Sequence, residues 1–137
     1  GSPPQAPIFD LGVGLRDPTS TYELVDAYGE QGRRFYFYVS AWDFCPYMLG
    51  YVITGSLLGA LACQKGGMPR HSPVWHYLPL SSLVPWSFDL LENFSYTTMI
   101  LAHPTKLVLL SHVLAIATPL KWASLGAMCV AAAAVAL

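Results

Sequence analysis

The chain has 137 residues, 54% of them hydrophobic and only 11% charged, with a mean hydropathy of +0.44 and a formal net charge of −1. Soluble domains are usually about a quarter charged, and a chain this short has too much surface to hide so apolar a composition from water. The composition therefore asks for hydrocarbon as solvent, and with neither a basic patch nor an acidic tail it argues against a nucleic-acid partner.

The first residue is Gly rather than Met, which reads as processing, truncation or a tag, and leaves open a targeting segment or further helix upstream. Residues 1–18 hold Pro3, Pro4, Pro7, Gly12, Gly14 and Pro18, and are expected to form an extended arm. Residues 19–34 are predicted as a short amphipathic helix on the membrane surface. Ser20 and Glu23 have the spacing of a capping box. Leu24, Val25, Tyr28 and Phe35 fall near one face, with Glu23, Asp26 and Glu30 elsewhere.

Three membrane spans are expected in an antiparallel bundle, at about 35–63, 75–102 and 107–137, so that the predicted class is an all-α membrane protein. The first opens after Arg33 and Arg34 with Tyr36, Tyr38 and Trp42, which suit the headgroup belt, and contains Pro46, which should kink it. The stretch 64–74 is rich in Gly and Pro and breaks the chain. The second span contains Pro79 and Pro85, and the short turn His103-Pro104-Thr105-Lys106 returns the chain antiparallel into the third, which holds Pro119 and Lys121. Arg16, Arg33, Arg34 and Lys106 outnumber Lys65 and Arg70, which places the arm on the stroma, matrix or cytosol side by the positive-inside rule.

Asp43, Asp89, Glu92 and Lys121 fall within the apolar stretches. Each costs at least about 2.5 kcal/mol at mid-bilayer, so each should turn toward a partner or a wet cavity. At 3.6 residues per turn, Ser40, Asp43, Tyr47, Gly50 and Thr54 share one face of the first span. Ser82, Trp86, Asp89, Glu92, Asn93 and Tyr96 share one of the second, and Ser111, Thr118, Lys121 and Ser124 one of the third. The predicted intramembrane network is Asp43, Tyr47, Asp89, Glu92, Asn93 and Lys121, with Lys121 bridging Asp89 or Glu92. Its bland interpretation is polar glue that sets helix register. Its functional alternatives are a proton path, an ion site or an acid/base pair.

Gly55 and Gly59 form a small-xxx-small pair that permits close helix approach. His71, His76, His103 and His112 show no metal-binding spacing, and neither do Cys45, Cys63 and Cys129, so no metal site is expected. His103 and His112 are the candidates to ligate a pigment. No Gly-rich phosphate loop, GxSxG or Cys/His nucleophile pattern is present.

The runs PIFDLGVGL…YELVDAYGEQGRRFYFY…WDFCPYMLGY (7–51), YLPL…SFDLLEN (77–93) and PLKW (119–122) resemble small, uncharacterised multi-helix membrane proteins. That resemblance spans most of the chain and implies a four-helix unit whose first helix precedes residue 1. It carries no activity.

The leading expectation is a non-catalytic accessory subunit of a larger energy-transducing complex in an organelle. A photosystem in a thylakoid is placed ahead of a respiratory complex in the mitochondrial inner membrane, because interfacial His and Trp suit chlorophyll, carotenoid or lipid. The alternatives are a stand-alone membrane enzyme or transporter that uses the carboxylate/Lys site, and an assembly adaptor.

Overall fold

A computed structural model of the protein describes residues 17–137, apart from the side chain of Cys45. The described residues are mainly helical, without a strand: α1 (Pro18–Ala27), α2 (Gly29–Trp42), a π-turn (Asp43–Tyr47), α3 (Met48–Lys65), α4 (Pro73–Leu80), α5 (Leu83–Ala102) and α6 (Val108–Ala136). The expected arm lies almost entirely outside the described residues.

The amphipathic segment expected as one helix over 19–34 is two. Asp17, not Ser20, caps α1: its Oδ1 accepts the Ser20 amide at 2.6 Å, and Pro18 occupies the first turn, where no amide hydrogen is needed. The helix ends at Tyr28 because Gly29 takes φ +61°, a left-handed conformation that glycine adopts without penalty. This break shifts the register downstream. Tyr36 is buried where Phe35 was expected, and Phe35 is 68% exposed. Nor does α1 merely lie on a surface, since Thr21, Tyr22, Leu24 and Val25 are buried. It clamps the α5–α6 turn: Asp26 Oδ1 is 2.8 Å from His103 Nε2, the Tyr22 hydroxyl accepts the Leu107 amide, and the Lys106 ammonium lies over the Tyr22 ring.

The first expected span, 35–63, lies within a longer helical path that begins six residues earlier, at Gly29, and runs through the π-turn to Lys65, about 37 residues and about 55 Å long. Pro46 has no amide hydrogen, and its ring crowds the carbonyl four residues earlier. The chain absorbs this in the π-turn, which inserts one extra residue and rotates everything after it by about 100°.

The second expected span is broken in two. Pro85 cannot bond the carbonyl of Ser81, so the helix interrupts at Ser81 and Ser82, whose hydroxyls instead donate to Leu78 O (2.6 Å) and Pro79 O (3.2 Å). Ser72 caps α4 by accepting the Val74 amide at 3.3 Å.

α5 and α6 form the central antiparallel hairpin. α3 packs on α4 and α6, and α2 on α5. Two apolar clusters close the ends: Leu24, Val25, Tyr36, Tyr96, Ile100 and Leu114 at one, and Ala62, Cys63 and Leu78 with Val74, Trp75 and Val135 at the other. Among the described residues one helix, α6, is long and apolar enough on its own to cross a membrane, with a mean hydropathy of 1.5. The other two expected spans do not meet that standard: the first is interrupted by the π-turn, and the second is broken before Leu83 and carries Asp89, Glu92 and Asn93.

Candidate functional site

Polar side chains gather at mid-height between the two apolar ends. Asp89, Glu92, Asn93 and Tyr96 recur at helical spacing on α5 and all are buried. Lys121 stands near the middle of α6, about 20 Å along the axis from either end. Its ammonium reaches both carboxylates: Nζ is 3.2 Å from Asp89 Oδ1 and in direct contact with Glu92 Oε2. Thr118, almost one turn earlier, donates its hydroxyl to Glu92 Oε1 at 2.6 Å. Asn93 Nδ2 donates to the Asp89 carbonyl (3.0 Å) and to Asp89 Oδ1 (3.2 Å), while the Tyr96 hydroxyl donates to Asn93 Oδ1. From α3, the Tyr51 hydroxyl donates to Asp89 Oδ2 at 3.0 Å.

The side chains of Asp89, Glu92 and Lys121 are only 4%, 0% and 9% exposed. Desolvating such ions costs several kcal/mol each, so the cluster survives only because every charge meets an opposite charge or a hydroxyl. Geometrically it ties α3, α5 and α6 into one register.

The cluster is not sealed on every side. A cavity of about 280 Å³ lies between α3 and α6. Asp89 and Lys121 line its buried end with Tyr51, and Leu58, Leu125 and Met128 form apolar walls. A larger groove of about 480 Å³ separates α2 from α5, walled by Phe37, Phe44, Phe94 and Leu101, with no ionisable group in its lining.

Of the residues singled out in the sequence, Asp89, Glu92, Asn93 and Lys121 meet in one cluster. Tyr47 does not fill the place expected for it. It is 65% exposed at the rim of the cavity, its ring 5.8 Å from that of Tyr51. Gly50 and Thr54, expected on the same inner face, are also exposed. The π-turn is the reason: its extra residue rotates Tyr51 inward and Thr54 outward. Tyr51 is therefore the network residue that uniform periodicity misses, and Pro46 was its signal. Asp43 is half-buried as the first residue of the π-turn.

The two pigment candidates differ. His103 is engaged with Asp26, and His112 faces outward from α6. Gly55 and Gly59 sit where helices touch. A Cβ on Gly55 would lie 2.9 Å from Ser82 Cβ, and one on Gly59 would lie 2.9 Å from the backbone of Pro79. No grouping of His, Cys, Asp and Glu among the described residues could hold a metal. Comparisons with known protein families, curated proteins and solved structures found no match.

Proposed function

We propose that the chain is a three-span membrane protein, crossing the bilayer through α2–α3, α4–α5 and α6, and serving as a non-catalytic subunit of a larger membrane complex. One observation carries this reading: the apolar side chains point out and the ionisable ones point in. Phe35, Trp42, Ile53, Leu57, Phe94, Leu109 and Val130 are each more than half exposed, whereas Asp89, Glu92 and Lys121 are buried. That is the inverse of a domain packed against water, where contiguous exposed apolar surface is small. The lengths suit it too, since α5 spans about 30 Å and α6 about 43 Å against a hydrocarbon layer of about 30 Å.

The accessory role follows from how little the bundle encloses. Its apolar surface is turned mostly to its surroundings, and the groove between α2 and α5 offers a neighbour a large aromatic face. We propose an energy-transducing complex as the setting. If it is a photosystem, the exposed ring of His112 is the better pigment ligand, because at His103 a pigment would have to displace Asp26.

Solubilisation in mild detergent tests this. A discrete large particle containing the chain at fixed stoichiometry supports the subunit reading, and pigment absorbance in it supports the photosystem setting. A small particle holding this chain alone overturns the subunit reading, and a colourless large one overturns the photosystem.

A second reading, a stand-alone enzyme or transporter, draws on the cavity that reaches Asp89 and Lys121. It requires Asp89→Asn and Glu92→Gln to abolish an activity while the protein still assembles.

A further inference from the structure

The groove between α2 and α5 continues past its aromatic walls. A second cavity, of about 280 Å³, opens beside the start of α2, and the two share Phe37 and Leu101 as lining. On α2 the positions Arg33, Phe37, Ser40 and Phe44 follow helical spacing, and on α5, running the other way, so do Leu101, Thr98 and Phe94, so the two cavities form one furrow. Its ends differ in chemistry. Glu30, Arg33 and Arg34 line the outer end. Arg33 is half-buried, its Nη1 donating to the Val25 carbonyl at 3.3 Å, and Arg34 is exposed. Among the described residues neither arginine is paired with a carboxylate, so both keep N–H donors for an anion. Toward the inner end no ionisable group lines the furrow. The polar side chains there bond elsewhere: Ser40 donates to Tyr36 O at 2.8 Å, Thr98 donates to Phe94 O at 2.7 Å, and Asn93 is held by Asp89 and Tyr96.

We infer that this furrow binds one anionic phospholipid, its phosphate held by Arg33 and Arg34 and one acyl chain laid between Phe37, Phe44, Phe94 and Leu101. Guanidinium forks match phosphate oxygens in pairs. The three ionisable groups at the outer end, Glu30, Arg33 and Arg34, sum to a formal charge of +1, which a monoanionic headgroup neutralises and a zwitterionic one leaves in place. Length points to the same occupant. Arg34 and Phe44 lie about 15 Å apart along the helix, half of the hydrocarbon layer of about 30 Å. A neighbouring membrane helix needs a face of full bilayer height, whereas a furrow one leaflet deep with cations at its outer end has the shape of a single lipid. The site rests on the three-span reading and goes beyond it, since the lipid becomes part of the face that a neighbouring subunit meets.

Native mass spectrometry of the full chain in a neutral detergent tests this, with dioleoyl phosphatidylglycerol and dioleoyl phosphatidylcholine titrated separately. The first phosphatidylglycerol is expected to bind about tenfold tighter than the first phosphatidylcholine. Arg34→Gln should weaken phosphatidylglycerol about fivefold and change phosphatidylcholine by less than about twofold. Lys65→Gln removes a cation at the far end of α3 and should change either lipid by less than about twofold. Ala41→Trp fills the furrow from an exposed position with both arginines in place, and should remove the tight site. It keeps the test decisive if Arg34→Gln fails to fold. Equal affinity for the two lipids, equal losses from Arg34→Gln and Lys65→Gln, or full affinity in Ala41→Trp overturns the proposal. The three-span reading is tested apart, by whether alkaline carbonate extracts the chain from membranes: a resistant chain that shows no lipid preference sinks the lipid site alone.

Discussion

Lys121 is the residue on which the buried cluster turns, because it is shared by two carboxylates while each of those has other partners. Lys121→Met leaves Asp89 and Glu92 facing one another without their shared cation, and uncompensated buried charge of that kind costs about 3–5 kcal/mol. Glu92→Gln keeps the shape and leaves a neutral Lys121–Asp89 pair, so it should cost about 1 kcal/mol. Unfolding midpoints in detergent, followed by circular dichroism, should therefore fall much further for the lysine variant. Equal losses would mean that the Lys121 charge is not what holds the two carboxylates in place. Asp17, at the exposed start of α1, has a pH dependence of simpler origin. The Ser20 amide donates to its carboxylate and holds its pKa below the ordinary 3.8. A carboxyl depressed by folding contributes stability that is complete above its unfolded value and is lost as pH falls through the lowered folded value. The first turn of α1 should thus fray on acidification below about pH 3.8, seen as faster hydrogen exchange at Ser20 and Thr21, and Asp17→Ala should show that fast exchange already at neutral pH.

Between helices, the close approach of α3 to α4 depends on the absence of a side chain. A methyl group on Gly59 would meet Pro79 Cα at 2.9 Å and Leu78 O at 3.0 Å, both backbone atoms that cannot swing aside. Gly59→Ala should force the two helices apart at a cost of about 1–3 kcal/mol. Gly126→Ala meets nothing within 4 Å and should be neutral or gain up to about 1 kcal/mol from helix propensity, which makes it the matched control in the same unfolding assay. The sequence carried the Gly55/Gly59 contact and the Asp89–Glu92–Asn93 face, because both depend on spacing within one uninterrupted stretch of helix. It did not carry what lies beyond a break in phase. Gly29 rotates α2 so that Tyr36 replaces Phe35 on the inner face, and the π-turn at Pro46 rotates α3 so that Tyr51 faces inward, where Tyr47, Gly50 and Thr54 were expected. Pro85 likewise broke a helix that hydropathy alone reads as continuous. At Gly29 and Pro46 a single backbone event, visible as one Pro or Gly but ambiguous in its effect, moved every later residue by about one position on the helical wheel.

For the molecule as a whole, the outward face decides which solvent surrounds it. Phe94 on α5 and Ile116 on α6 are both 57% exposed and lie well inside their helices. If that surface faced water, replacing either by Lys would relieve an exposed apolar contact and change stability by no more than about 0.5 kcal/mol. If it faces acyl chains at mid-depth, the same change costs at least about 2.5 kcal/mol of insertion free energy, relieved only in part by snorkelling. The two environments thus predict outcomes a factor of tens apart in the equilibrium between inserted and uninserted chain. Phe94→Lys and Ile116→Lys should each reduce the carbonate-resistant fraction sharply, while Leu137→Lys, at the end of α6, should leave it unchanged. If all three substitutions left that fraction alike, the exposed apolar face would belong to a protein partner rather than to lipid. Among the described residues only α6 would then remain a candidate to cross the bilayer, since among them it alone has the length and apolarity to do so unaided.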